Sequence, residues 1–308
     1  MKTRSKYVLA KMEVTYGTDP TPAAANAIIT GNLARDIYAG NTVTRENDRT
    51  ALGAREVINT APMVMQTFTA EMMGSGTLGT PPNYGPILRA CGFDETITAS
   101  TKVEYLPVSA SYESITTYYD RGGERQISKG MRGTGGLSFA AGQIPRFNFS
   151  LTGFYQKPAI ATMVTPAPTP NIKPRPVNKA NTPTCTIGAY ALILQSLEID
   201  FGNQVPYMNM VNYEEVLITD RLMSGTLVCL APLVSDKDMF ALAESHSSIT
   251  TSAFQLIHGA TPNIIRLDAP AMQITGIAET DINGEQGYTC TFVLLPSTTD
   301  DELKISFL

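Results

Sequence analysis

The sequence Glu56-Val57-Ile58-Asn59-Thr60 recurs in the second half of the chain as Glu215-Val216-Leu217-Ile218-Thr219. At the same spacing, Thr67-Phe68-Thr69-Ala70 corresponds to Thr226-Leu227-Val228-Cys229. The identities are few, but the order of predicted elements also repeats: strands, one short helix, further strands and a final alternating strand. The sequence therefore predicts a β domain that is present twice in the chain.

Alternation of apolar and polar residues marks the last strand of each half. Residues 147–151 and 288–294 both alternate with the period of two that a half-buried strand requires. Asn283-Gly284, just before the second of these strands, is a hairpin turn signal. A short helix is predicted near Pro86 in the first half and after Ser235 in the second, because proline suits a first helical position and serine an N-cap.

These patterns predict a mainly β (α+β) fold of two tandem β-sandwich or small-barrel domains, each with one short packed helix. Residues 1–35 are expected to form an extended N-terminal arm with little structure of its own. The first domain is placed at 36–155, a proline-rich linker at 156–185 and the second domain at 186–308. Seven prolines fall within the linker, and proline lacks the N–H that a central strand or helix would need.

Composition excludes several classes of function. With 308 residues and 43% hydrophobic residues, each half can bury a core of its own. The net charge of −5 argues against a nucleic-acid clamp, which needs a basic face. The four cysteines have no CxxC spacing, which favours buried thiols in a reducing compartment. No apolar run approaches a membrane span, and Tyr7-Val8-Leu9-Ala10 is too short for a signal peptide core, so a cytosolic product is expected.

Residues suited to catalysis are scarce. The two histidines, His246 and His258, lie outside any metal-binding spacing. The glycine-rich run from Gly130 to Gly136 lacks the Lys-Ser/Thr ending of a phosphate loop, so a flexible hairpin or bulge is the better interpretation. Asp236 and Asp238 are explained by a helix start. We therefore predict no catalytic, metal or cofactor-binding site and no enzyme activity.

Two segments carry residues that suit contacts with a partner. One is a charged segment that interrupts a half of low charge, and the other is rich in Tyr and Met, which are enriched at protein interfaces. The charged segment also fits an ordinary solvated hairpin. The candidate contact residues are Arg45, Glu46, Asp48 and Arg49 in the first segment and Tyr207, Met208, Met210 and Tyr213 in the second.

Several stretches of the first half resemble the major tail (tail tube) proteins of tailed bacteriophages, of the long non-contractile type. They are Lys6-Tyr7-Val8-Leu9-Ala10-Lys11, Tyr16-Gly17-Thr18-Asp19-Pro20, Gly133-Thr134-Gly135-Gly136, Pro145-Arg146-Phe147-Asn148-Phe149 and Gly153-Phe154-Tyr155. The resemblance covers residues 1–155 directly and the second half through the internal repeat. It implies two tandem tail-tube-like β domains.

The resemblance also implies a function. Inner sheets of such subunits join around a ring, rings stack through loops and arms, and genomic DNA passes down an acidic lumen without specific binding. The eight contact residues, from Arg45 to Tyr213, then become candidate ring-stacking contacts. The implied partners are further copies of the chain and the tape measure, tail terminator and distal tail proteins. The implied location is the virion tail, assembled in the host cytoplasm, with no membrane partner.

The duplication bears on ring symmetry. Single-domain members of the family form six-membered rings, so a chain with two equivalent domains would close the ring as a trimer. If the second half were an outer decoration, the ring would be a hexamer. Alternative functions are another self-assembling β protein, such as a head decoration or injection-system tube subunit, or a carbohydrate-binding β-sandwich. The absence of Trp counts against the carbohydrate binder.

Overall fold

Antiparallel β-strands make up most of the fold in a computed structural model, which describes residues 6–168 and 172–308. Two short α-helices, one in each half, accompany them. This confirms the predicted mainly β class. Residues 1–5 of the expected arm and 169–171 of the expected linker lie outside the described residues.

The first half contains twelve strands, one α-helix and a 3₁₀ turn at Ala24–Asn26. Its elements are β1 (Lys6–Met12), β2 (Ala27–Ile28), β3 (Gly31–Ala39), β4 (Thr42–Thr44), β5 (Val57–Asn59), β6 (Met63–Glu71), α1 (Gly85–Ala90), β7 (Phe93–Thr98), β8 (Lys102–Pro107), β9 (Ile115–Arg121), β10 (Glu124–Ala140), β11 (Arg146–Phe154) and β12 (Ala159–Ile160).

The second half contains another twelve strands and one α-helix. Its elements are β13 (Thr184–Ile187), β14 (Tyr190–Ala191), β15 (Leu194–Asp200), β16 (Asn203–Gln204), β17 (Tyr207–Met210), β18 (Tyr213–Val216), β19 (Asp220–Arg221), β20 (Ser224–Leu230), α2 (Phe240–Ala243), β21 (Ser252–His258), β22 (Ile265–Ile282), β23 (Glu285–Leu295) and β24 (Lys304–Phe307).

One antiparallel sheet runs through both halves. Its strand order is β3-β6-β11-β10-β15-β20-β23-β22. The first four strands come from the first half and the last four from the second, and each set is arranged in the same order along the chain. The internal repeat is therefore visible in the topology: β3, β6, β10 and β11 correspond to β15, β20, β22 and β23.

A second layer covers one face of this sheet. The N-terminal part of β10 pairs with β9, which pairs with β1, while the N-terminal part of β22 pairs with β21 and β24. Buried side chains of both layers form one large hydrophobic core that extends across the two halves. Within residues 6–168 and 172–308, no series of strand ladders returns to its starting strand. The layers therefore form an open sandwich and not a closed barrel.

Helix α1 illustrates how local sequence positions the core. Pro86 stands in its first turn, where the missing N–H costs nothing, and Gly92 follows its end with a φ of +82°. Ile87 and Leu88 are fully buried. In front of the helix, the buried Tyr84 donates a hydrogen bond of 2.8 Å from its hydroxyl to the Met73 carbonyl oxygen. The helix thus contributes buried apolar side chains to the hydrophobic core in the first half.

The structure differs from the sequence-based expectations in several places. The expected N-terminal arm includes β1, which pairs with β9 along its whole length and buries Val8 and Leu9 completely. The glycine-rich run has a bulge next to Gly130, as one interpretation allowed, but its remainder is the middle of β10. The strands expected at 264–267 and 272–277 are one long strand, β22, because a bulge bends the strand without ending it.

Candidate assembly surface

The large sheet has two free edges. Strand β3 pairs only with β6, and residues 273–282 of β22 pair only with β23, in the part of the chain that the structure describes. An unpaired edge exposes N–H and C=O groups that can pair with another chain. On β3, Lys6 Nζ donates to the Leu33 carbonyl oxygen at 2.6 Å, and the Gln126 side-chain amide donates to the Ile37 carbonyl oxygen at 3.2 Å. These side chains satisfy part of the β3 edge in the single chain.

The chain itself contains a junction of the kind that such edges can form. We call β3-β6-β11-β10 the first unit of the sheet and β15-β20-β23-β22 the second unit. Strand β10, at the end of the first unit in this order, pairs with β15, at the start of the second. Leu137 lies opposite Ile199 and Phe139 opposite Leu197, and all four side chains are buried. The junction inside the chain is therefore an apolar continuation of the core.

Two hairpins leave the same end of the sheet. The β4–β5 hairpin lies between β3 and β6, and the β17–β18 hairpin lies between β15 and β20. Because β3 and β15 run in the same direction through the sheet, both hairpins project from one end. They occupy equivalent positions in the two units.

The first hairpin carries the predicted charged residues. Arg45 forms an ion pair with Glu56 across the base of the loop, and Arg49 Nη2 donates to the Ala54 carbonyl oxygen at 2.7 Å. Glu46 and Asp48 lie in the same exposed loop. The structure thus places all four residues in the loop of one hairpin.

The second hairpin carries the predicted Tyr and Met residues. Tyr207, Met208 and Met210 lie on β17 and Tyr213 on β18. Tyr207 is partly buried, with its ring centroid 6.3 Å from that of Phe154, and burial together with a hydrogen bond to Glu214 raises its pKa to about 12. Met210 and Tyr213 are exposed. Tyr207 therefore anchors this hairpin, whereas Met210 lies on its exposed surface and Tyr213 donates a hydrogen bond to Glu215 Oε2 at 2.7 Å.

The outward face of the large sheet is polar and poor in cations. It forms a shallow concavity of about 580 Å³. Thr67, Thr134, Ser150, Glu198 and Asp200 are among its lining residues. This face therefore offers hydroxyl and carboxylate groups to whatever lies against it.

Sequence reasoning missed a cluster of polar groups beneath the β3 edge. Arg35 on β3 lies over the Tyr119 ring at 4.5 Å, and its Nη2 donates to Ser128 Oγ at 2.9 Å. Its Nε and Nη1 atoms are buried without a hydrogen-bond partner among the described residues, and so are both polar atoms of the Gln66 side chain opposite it. Burial lowers the pKa of Arg35 to about 10, with a smaller opposing effect of Tyr119. The one signal in the sequence was that Arg35 is charged, whereas the equivalent strand position in the second unit is the apolar Ile199.

Histidine and membrane features add little to the site. His258 is buried, with Nδ1 2.9 Å from Thr182 Oγ1. Among residues 6–168 and 172–308, no group of three or more His, Cys, Asp or Glu side chains is placed to hold a metal ion. In those same residues neither helix has the length and apolarity needed to cross a bilayer.

The chain thus has two equivalent β units with open sheet edges, and its candidate contact residues lie on two hairpins. The sequence model of one family, described as phage tail tube protein, matches residues 3–292 of the 308. The chain therefore belongs to the phage tail tube protein family, as the resemblance of its first half predicted. It is a structural protein of the virion tail. No curated protein matches the chain.

Proposed function

We propose that copies of this chain join edge to edge into closed rings and that the rings stack into the tail tube through which the genome leaves the virion. The observation that carries this proposal is the β10–β15 junction. It joins the last strand of one unit to the first strand of the next, and the chain leaves free the equivalent pair, β22 and β3. Pairing β22 of one copy with β3 of the next would repeat the antiparallel backbone pairing of this junction.

Three chains per ring is the arrangement that the duplication favours. Both units contribute four strands in the same order to one sheet. This equivalent topology supports two tube domains in each chain over a second half that decorates the outside of the tube. If the ring holds six tube domains, as in single-domain relatives, three copies supply them.

The polar face of the sheet is the proposed lumen lining. The other face packs against the second layer and is buried, so a ring closed through β3 and β22 would turn the polar face inward. Glu198 and Asp200 would repel phosphates, and the hydroxyl side chains around them hold no positive charge that could bind DNA. DNA would then slide through without being held.

The hairpins are the proposed contacts between rings. Leu52 and Val211, at the tips of the two hairpins, are almost fully exposed. Leu233 and Val234, which follow β20 at the opposite end of the sheet, are also exposed. Head-to-tail stacking would cover both apolar groups at once. Contacts of the end rings with tape measure, terminator and distal tail proteins, and assembly in the host cytoplasm, belong to the same proposal.

Electron microscopy of the purified chain tests the assembly directly. We expect hollow stacked rings whose averages down the axis show three repeats, each divided into two similar lobes. Native mass spectrometry of the smallest closed species should give three chains. Dispersed monomers at every protein concentration would overturn the assembly proposal, and six chains per ring would overturn the trimer alone.

Deletion of residues 45–52 tests the stacking contacts. Because the loop is exposed and lies outside the large sheet, the chain should still fold and close rings, but the rings should no longer form long tubes. The control is Ile249→Ser, which changes an exposed apolar residue outside both hairpins. Tubes of normal length from the deletion variant would show that this hairpin does not mediate stacking.

A further inference from the structure

We propose that two ion pairs select the junction between copies of the chain: Glu279 with Arg35 of the next copy, and Asp281 with Lys6 of the next copy. The proposal rests on the ring assembly proposed above and deepens it by naming the residues that decide which edges pair. It follows from the register of the junction inside the chain and from unpartnered polar groups at the β3 edge.

The first step is the equivalence of β10 and β22. Both strands bulge where their first part ends, before Met131 in β10 and before Met272 in β22. Leu151 lies opposite Gly133 and Phe292 opposite Ile274, so the ladders to β11 and β23 agree with this alignment.

One further bulge, between Ile274 and Gly276, adds a single residue to β22. With that residue counted, Leu137 corresponds to Glu279 and Phe139 corresponds to Asp281. The two inward positions that β10 fills with buried apolar side chains are therefore acidic and exposed in β22.

The second step is the equivalence of β15 and β3. Glu198 pairs with Thr226 and Ala34 pairs with Thr67, and these two partners are themselves equivalent in β20 and β6. One residue further along, Ile199 corresponds to Arg35.

Leu33 precedes Ala34 as Leu197 precedes Glu198, at the point where a bulge between Gly31 and Ala34 shifts the register of β3. Both leucines are buried, which supports the alignment.

Transferring the register of the inner junction gives the outer one. Leu137 faces Ile199 within the chain, so Glu279 would face Arg35 of the next copy. Residues directly opposite in an antiparallel ladder have Cβ atoms about 5 Å apart, within reach of an ion pair. Asp281, two residues further along, would then come near Leu33, which lies beside the bulge of β3 and whose carbonyl oxygen accepts a hydrogen bond from Lys6 Nζ at 2.6 Å. Both acids thus arrive beside a cation.

The surroundings of Arg35 are incomplete without such a partner. A cavity of about 430 Å³ beside β3 is lined by Lys6, Arg35, Arg121 and a single carboxylate, Glu124. No ion pair joins Arg35 to any carboxylate among residues 6–168 and 172–308. Since buried polar groups are normally hydrogen-bonded, Nε and Nη1 of Arg35 point to a ligand supplied from outside the chain.

Opposite charges on the two edges would also give direction to assembly. An acidic β22 edge repels another β22 edge, and a basic β3 edge repels another β3 edge, so only head-to-tail pairing is favoured. An apolar outer edge like that of β10 would pair without such discrimination. The ion pairs would therefore give every copy in the ring the same orientation, with its β22 edge against the β3 edge of the next copy.

Charge reversal on each edge tests the proposal. Glu279→Arg and Arg35→Glu should each raise the protein concentration needed for half-maximal ring formation roughly tenfold or more, because like charges would then face each other. The double variant Glu279→Arg/Arg35→Glu should assemble within about threefold of the unaltered chain, since the pair is restored with reversed sign. Glu285→Arg, which reverses an exposed acid at the start of β23, is the matched control and should assemble normally.

Folding is followed by thermal unfolding of each variant. Glu279 is exposed, so Glu279→Arg separates an assembly defect from a folding defect even if Arg35→Glu unfolds. Normal assembly of a folded Glu279→Arg variant would overturn the ion pair. If the double variant folds and Glu279→Arg alone impairs assembly, failure of the double variant to recover would overturn it too. Failure of the unaltered chain to form rings would instead overturn the proposed function.

A mixture of the two single variants tests the ion pair and the number of chains per ring independently. In an equimolar mixture the variants are complementary only when they alternate, and a ring of three cannot alternate. We expect the mixture to form short open oligomers but no closed trimers. Closed rings with an even number of chains would support the ion pair and overturn the trimer.

Discussion

Strands β10 and β22 occupy the same place in the two repeated units, but β10 pairs with a further strand of the chain and the end of β22 is a free edge. β10 presents the buried Leu137 and Phe139 to β15 of its own chain, whereas β22 presents the exposed Glu279 and Asp281 to solvent. The backbones hold equivalent places in the sheet, and the side chains distinguish the junction inside the chain from the edge that we propose for assembly. A duplicated fold can thus specialise its edges without changing its topology.

The largest expected effect comes from giving β10 the acid of β22. Leu137→Glu would bury a carboxylate without a cation in the apolar junction, and we expect a loss of more than about 4 kcal/mol in the free energy of unfolding. Urea denaturation followed by circular dichroism measures it. The reciprocal variant Glu279→Leu is the control, because its site is exposed and the single chain should fold normally. Equal losses in the two variants would contradict the distinction between the edges.

A second difference between the units is Arg132, whose equivalent on β22 is Gln273. Nη1 of the buried Arg132 donates to Glu215 Oε1 and to the Val216 carbonyl oxygen, both at 2.7 Å. Nη2 donates to the Tyr112 carbonyl oxygen at 2.8 Å. Arg132 therefore ties the second hairpin to the first unit.

Replacing this arginine by its counterpart should loosen the hairpin. Arg132→Gln removes the ion pair and leaves carbonyl groups without a donor, so we expect a loss of about 3 kcal/mol in stability. Denaturant unfolding gives the value, and hydrogen exchange at residues 213–216 should increase more than elsewhere. Gln273→Ala, at the equivalent position, should cost far less. A loss spread evenly over the chain would argue against a specific tie to the hairpin.

Much of the fold was readable from the sequence because it depends on local signals. Alternation at 147–151 and 288–294, the Asn283-Gly284 turn and the short helix near Pro86 correspond to β11, β23, the β22–β23 turn and α1. Strand β1 was missed because its short apolar run becomes a strand only through pairing with β9, a contact distant in sequence.

The assembly edges were harder to predict than the hairpins. A charged or aromatic loop stands out by composition, whereas Arg35 and Glu279 look like ordinary solvated strand residues. Whether these two residues could pair depends on which strands lie beside them. That follows from the order β15-β20-β23-β22 and its match to β3-β6-β11-β10. The repeat was recognised from sequence, but its register needed the two bulges of β22, which no sequence pattern marks.

A smaller effect is expected at the turns that follow these two strands. Asn283 and Gly284 both have positive φ, +56° and +89°, whereas β10 and β11 are joined by the longer segment 141–145. Nothing lies within 4 Å of a Cβ at Gly284, so Gly284→Ala pays only for the left-handed backbone, about 1 kcal/mol. Gly284→Asn is the control and should lose less, because asparagine tolerates this conformation. Thermal unfolding distinguishes them, and equal losses would point to a cause other than the backbone.

The smallest effect concerns the pH dependence of the two hairpins. Burial raises the pKa of Glu215, but hydrogen bonds from Tyr213 and Arg132 outweigh it and hold the pKa below its ordinary value. A carboxyl group with a lower pKa in the folded state stabilises the fold above its unfolded pKa, and this contribution is lost as the pH falls. Glu215→Gln should therefore flatten the decline in stability between about pH 6 and pH 3. Glu46→Gln, on the exposed loop of the equivalent hairpin, is the control for the loss of one carboxylate. The same slope in both variants would mean that Glu215 gains no stabilisation from its partners in the fold.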